Sequence, residues 1–225
     1  MRPADGPLWT GRGRYHALRA RWDRAAADFA RGIASAPPDS QEGFEHAALR
    51  LLVGDIAGYR EFVREMGRRE GRTDDPIVAF ILARSCILAP DPVVATEQAI
   101  RWAEQAVASE RNAWYLHVLG AAHYRAGHYD EAIRRLGESN AGVWREDGKA
   151  QNRLVLAMAY QRLGESTKAR ALLSEVAEMW NIIEAEKVDG AVSMPATDWL
   201  PLQIYRREAE ALILDAVFPA DPFAR

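Results

Sequence analysis

"LGAAHYRAGHYDEAIRRL", residues 119–136, has the pattern of two short helices folded back on each other, and "LAMAYQRLGESTKARALL" at 156–173 restates it. Leu119, Gly120, Gly127, Ala132 and Leu136 reappear 37 residues later as Leu156, Ala157, Gly164, Ala169 and Leu173. Counting back 107 residues from the first set gives Gly13, Trp22, Ala25 and Phe29, with Pro37 closing that unit. A further copy stands 34 residues after these, at Ala47, Ile56 and Val63, with Gly54 between. A weaker copy holds Ile87, Ala99, Ala103 and Ala106. Five units therefore begin near residues 6, 40, 80, 113 and 150, and a period of this length predicts stacked helix pairs.

Each recurring position has a physical reason. Gly120 and its equivalents are small so that the first helix of a pair can approach the second closely, and Ala132, Ala169 and Ala25 serve that contact from the other side. Gly54, Gly127 and Gly164 stand where a first helix ends, a place where glycine takes the left-handed conformation cheaply. Tyr129 and Trp22, two positions on, can cover the top of the pair. Pro37 ends a second helix, because proline disfavours helix at the residue before it. Helices of this length are marginal alone in water and become stable by stacking on neighbours.

These residues resemble the tetratricopeptide repeat family, whose pattern is Trp-x2-Leu-Gly-x2-Tyr, then Gly, then Ala-x3-Phe, then Pro. "VLGAAHYRAGHYDEAIRRL" follows that pattern, and "WDRAAADF" with "APPD" follows its second half. The resemblance implies an all-α fold: a right-handed superhelical solenoid of about five helix-turn-helix repeats over residues 1–180. The second unit departs from the pattern at Tyr59, where the family has a small residue, and the third replaces the tight glycine turn with "LAPDPVVATEQA". "DPIVAFILARSCILAPD" and the ending "LQIYRREAEALI…FPADPFAR" further resemble the repeat segments that follow Ser/Thr kinase domains in large bacterial signalling chains. No Gly-rich loop, "HRD" or "DFG" accompanies them, so the resemblance implies the repeat part without the catalytic part.

After the repeats, residues 181–197 read as an extended connection around Gly190 and Pro195. Asp198 then caps a last helix over 198–217, with Pro201 near its start, expected to cover the open end of the solenoid. The tail 218–225 reads as extended, its two phenylalanines either docked on the body, which burial favours, or presented to a partner.

Composition narrows the function classes. The chain has 225 residues, is 48% hydrophobic and carries a net charge of −3, so a nucleic-acid partner is not expected. Its single cysteine, Cys86, excludes an internal disulfide framework and fits a reducing compartment. The longest apolar runs, such as "VAFILA" at 78–83, are too short for a bilayer, and the first residues contain no apolar signal segment. A cytoplasmic protein with no membrane partner is therefore expected, a monomer unless it stacks on itself.

Chemistry is sparse. "GESNA" at 137–141 imitates a nucleophile elbow, but Ser139 follows a helix instead of a strand. "GRGR" at 11–14 lacks the third glycine and the strand of a phosphate loop. His117, His123 and His128 lie on different faces with no carboxylate or cysteine to complete a zinc set, so neither a metal nor another cofactor is expected. Cys86 reads as a buried inert thiol. Trp144, in the insert "SNAGVWREDG", is the best candidate for an exposed anchor, with packing between units as its simpler role. No enzyme emerges.

The family places the first helices of successive units on its concave face, and that implication selects the partner-binding candidates. They are Arg14, Phe44, Arg84, His117, Tyr124, Arg125, Met158, Gln161 and Arg162. This lining is rich in arginine on an acidic chain, and arginine suits bidentate binding of carboxylates. Two functions stay open. One is a protein–protein interaction module that takes a protein or peptide segment, acidic or ending in a carboxylate, in the groove. The other is a structural or assembly segment of a larger kinase-type signalling chain, with no separate ligand and the arginines serving solubility. Replacing Arg125 and Arg162 together by glutamate is expected to abolish binding without changing stability.

Overall fold

The structure, a computed structural model, describes residues 5–35 and 40–214. Helices follow one another as pairs: α1 (Gly6–Ala17) with α2 (Trp22–Ser35), α3 (Ser40–Leu52) with α4 (Ile56–Glu70), and α5 (Pro76–Cys86) with α6 (Thr96–Ser109). Next come α7 (Ala113–Arg125) with α8 (Tyr129–Ala141) and α9 (Glu146–Arg162) with α10 (Ser166–Ala185), then α11 (Ala196–Leu214). The helices of each pair pack on each other, and successive pairs stack. No strand forms among the described residues, only an isolated bridge between Val188 and Ala191. Pro37 and the residues after Leu214, including the expected tail and the end of the last helix, lie outside the described residues.

The recurring small residues do what close approach requires. A Cβ added to Gly120 would lie 2.7 Å from Leu136 Cγ, and one on Gly13 would lie 2.5 Å from Phe29 Cδ2. The turn glycine Gly127 has φ +78°, as Gly54 and Gly164 have +79° and +82°, a region other residues enter only at a cost. Tyr59, the departure in the second unit, is fully buried and donates its hydroxyl to Ser85 O at 2.8 Å, so its bulk fills the joint with the third pair. The third and fifth pairs start at Pro76 and Glu146, each four residues ahead of the expected position. At Pro76 the reason is local: the Asp75 carboxylate accepts from Ile77 N–H at 2.8 Å, and proline tolerates the first turn.

Two expectations about the end of the chain need correction. Residues 181–185 are helical, because α10 continues to Ala185, and the connection shortens to 186–195. It makes a tight turn in which Asp189 and Gly190 have φ +50° and +75°, and then Val192 N–H bonds Leu18 O at 3.0 Å. The last helix begins at Ala196, and it does not cap the end of the stack. It lies against α1, α3, α9 and α10, bridging the first pairs to the last. Its composition explains this: Trp199, Leu200, Leu202, Ile204, Tyr205 and Ala209 are all at most 1% exposed, an apolar surface wide enough to need neighbours on more than one side. Each large side chain so buried is worth about 1.5–3 kcal/mol.

Candidate functional site

The first helices of the pairs end in carbonyls with no intrahelical partner. α11 reaches two of these ends: Trp199 Nε1–H donates to Ala17 O at 3.1 Å, alongside Ala20 N–H, and Arg207 donates to Leu52 O at 3.3 Å. Trp199 also packs between the ends of the stack, its ring 6.5 Å from Trp22 and 5.2 Å from Trp180. The inner face is thus organised around a helix of its own chain.

Arg84 sits where two irregularities of α11 meet. Pro201 has no N–H, so the Thr197 carbonyl four residues before it lacks its helical donor. The Arg84 guanidinium donates to that carbonyl and lies 3.5 Å from Asp198. Asp198, expected as a helix cap, is instead a buried carboxylate in the first turn. Arg84 stacks over Phe44 at 4.1 Å. Burial lowers its pKa and Asp198 opposes that effect.

Arg125 is the second anchor. It donates to both carboxylate oxygens of Glu208, at 2.6 Å to Oε2, and both side chains are 7% exposed. Its Nε–H also donates to Ile87 O at 2.8 Å and a further N–H to Leu88 O at 3.3 Å, capping the end of α5. Burial disfavours the charge on Arg125, but the Glu208 carboxylate more than offsets this and the pKa lies above its ordinary value. The expected stability of a glutamate at this position is therefore corrected: Arg125 is a buried ion-pair partner, and its charge cannot be reversed without leaving Glu208 opposed.

The other candidates separate into buried and open positions. Arg14 donates to Glu45 on α3 at 2.6–3.0 Å and so links the first two pairs. Met158 is fully buried. His117 is buried with Nδ1 2.8 Å from Asn152 Oδ1, its ring 5.3 Å from Trp144 and 6.0 Å from Tyr205; burial brings its pKa to about 4. Tyr124 is buried, which with Glu208 raises its hydroxyl to about 12, opposed by hydrogen bonding from Arg162. Arg162 itself is exposed, and the neighbouring Gln161 Oε1 is buried with no hydrogen-bond partner. Arg162, at the end of α9, is thus the exposed candidate, with the buried Tyr124 hydroxyl and Gln161 Oε1 beside it.

The side chains considered for chemistry have structural work. Ser139 is fully buried and donates to Ala113 O at 2.7 Å, while Asn152 donates to Ser139 at 2.8 Å. The Cys86 thiol is raised to about 12 by burial. Trp144 is half-buried and stacks on Trp114 at 6.1 Å, between the fourth and fifth pairs. Among the described residues no three His, Cys, Asp or Glu side chains come together as a metal site. None of the described helices is long and apolar enough to cross a membrane. Sequence reasoning placed Asp198 and Pro201 at the start of the last helix without seeing their tie to Arg84, and it missed Glu208 and Arg207, whose signal was charge between the apolar residues of α11.

Solved structures with the same arrangement are tetratricopeptide-repeat proteins. The thermophilic TPR protein TTC0263 of Thermus thermophilus superposes with a TM-score of 0.57 at 19% identity, over 91% of this chain and 98% of that one. The TPR-like repeats of a putative kinesin light chain from Podosopora anserina give 0.50 at 18%, over 84% of this chain and all of that one. The fold is that of a tetratricopeptide-repeat solenoid. No protein-family model and no curated protein matches the sequence.

Proposed function

We propose that this chain is a non-catalytic protein-interaction module that takes an acidic peptide segment at the open end of its inner face, with Arg162 as the cation and Tyr124 and Gln161 beside it. The supporting observation is the way the inner face treats acids. Arg84 and Arg125 hold Asp198 and Glu208 of a helix laid along it, so the same face is chemically suited to carboxylate-bearing segments. Arg162 is the exposed member of that set, with no ion pair among the described residues. Of the remaining predicted lining, Arg84, Arg125 and His117 meet α11, while Arg14 is held by Glu45 of α3. Buried Ser139 and Cys86 support the non-catalytic part of the reading. A cytoplasmic setting, without nucleic-acid or membrane partners, belongs to this proposal, and the regulatory part of a kinase-type signalling chain is the context that the sequence resemblance suggests.

A second reading, a structural scaffold with no separate ligand, draws on α11 filling the inner face. Display of proteome fragments selected on wild type and on Arg162→Glu separates the two. Acidic segments enriched on wild type and lost on the variant, at equal melting temperature, support the module. Fragments without an acidic bias, or retained equally by both, leave the scaffold.

A further inference from the structure

The two ends of the stack carry opposite charge. Between residues 5 and 35 six arginines stand against three aspartates, whereas between 171 and 190 five acids stand against one lysine. On the first pair the charge is fixed in place. Arg12 and Arg31, from adjacent helices, lie over the Trp9 ring at 4.5 and 5.0 Å, and both guanidinia meet the buried Asp28 carboxylate. With Arg24, His16 and Asp23 they line a concavity of about 430 Å³, and Arg21 lies close enough to act on the same His16. Asp28 offsets one of these cations, and Arg24 has no ion pair among the described residues.

Apolar groups accompany the charge at both ends. On α1, Leu8 and Tyr15 are 73% and 49% exposed on the face that carries Arg12. A terminal repeat of a solenoid is normally polar on its outer side, so these side chains want a cover. On α10, Glu178, Ile182 and Glu186 succeed one another at intervals of four along one side, and Ile182 is 58% exposed. Ile182 opens into a cavity of about 410 Å³ lined with Met179, Ile183 and Met194, a socket that adaptable methionines can shape around an inserted side chain. An apolar knob set among arginines is complementary to an apolar socket whose rim carries Glu146 and Glu186 beside a single cation, Arg145.

We propose that copies of this chain associate head to tail, the Arg-rich face of α1 and α2 in one copy docking on the acidic α10 face and its Met/Ile cavity in the next. Such a contact is heterologous: it uses two different patches, so it propagates unless the rotation between copies closes a ring. Screening weakens it, because the Debye length falls from ~10 Å at 0.1 M salt to ~3 Å at 1 M.

Sedimentation velocity on the full chain tests it with charge reversals at each end. Wild type is expected to exceed the 25.1 kDa of one chain as concentration rises in low salt and to return to it in high salt. Arg21→Glu/Arg24→Glu and Glu178→Lys/Glu186→Lys each place like charges in the contact and are expected to remain single chains. Mixing the two, or combining all four changes in one chain, restores opposite charge and should restore association. Ile182→Asp should weaken association with unchanged circular dichroism. A wild type that stays a single chain throughout overturns the proposal, and so does association that the single-end reversals leave intact or that the mixture fails to recover.

Discussion

Arg125 of α7 and Glu208 of α11, 83 positions apart, form a two-pronged ion pair closed off from water. Removing one partner of such a pair strands the other, at a cost of roughly 3–5 kcal/mol, and a second carboxylate adds repulsion. Arg125→Glu is therefore expected to lower the unfolding free energy measured in urea by at least that amount, with a lower midpoint, and Arg125→Glu/Glu208→Arg to recover part of it. An unchanged midpoint for the single variant would mean that α11 does not lie on the inner face.

Pro201 and Arg84 act on one carbonyl. In wild type Arg84→Met removes the donor to Thr197 O and the cation beside Asp198. In a Pro201→Ala background the new N–H takes up Thr197 O, so the same change should cost less. The double-mutant cycle is expected to show a coupling of about 0.5–3 kcal/mol, and additivity would separate the two residues.

Packing at the fourth pair gives two opposite expectations. Ala132 is fully buried between α7 and α8, so Ala132→Leu should cost roughly 1–3 kcal/mol by overpacking. Gly137 is exposed in α8 and an added Cβ there meets nothing within 4 Å, so Gly137→Ala should stabilise by about 0.5–1 kcal/mol. Chemical denaturation of the two variants distinguishes a buried helix contact from an open one.

Acid should loosen the fold through two histidines. His46 accepts from Arg50 Nε–H at 2.9 Å and, like His117, has its pKa brought from 6.5 to about 4, mainly by burial. Because these folded-state values lie below the unfolded one, the folded chain binds fewer protons in this range. Stability is complete above pH 6.5 and declines as pH falls toward 4, by on the order of 2 kcal/mol per histidine at pH 5. The His46→Gln/His117→Gln variant should show a flatter dependence between pH 6.5 and 5, and an equal slope would refute the assignment.

The repeat was legible because its signals are local. A small residue, a turn glycine and a second small residue at fixed spacing act within one helix pair, and Gly120, Gly127 and Ala132 perform those roles where they stand. The third pair was harder to register, since "LAPDPVVATEQA" replaces the turn that would have aligned it, and the Asp75–Pro76 helix start was overlooked. The candidate site was half legible. Its arginines were found by face, but which of them remain open depends on what covers the face.

The sequence by itself determined a stack of helix pairs and an inner face supplied with arginine, because periodicity and turn chemistry act over a few residues. Only the tertiary structure decided that the last helix lies along that face, with Trp199 donating to Ala17 across 182 positions. No local rule carries that information: α11 could have covered the end of the stack or its interior. Burial of Trp199, Leu200, Leu202, Ile204 and Tyr205, and pairing of Asp198 and Glu208 with Arg84 and Arg125, selected the interior.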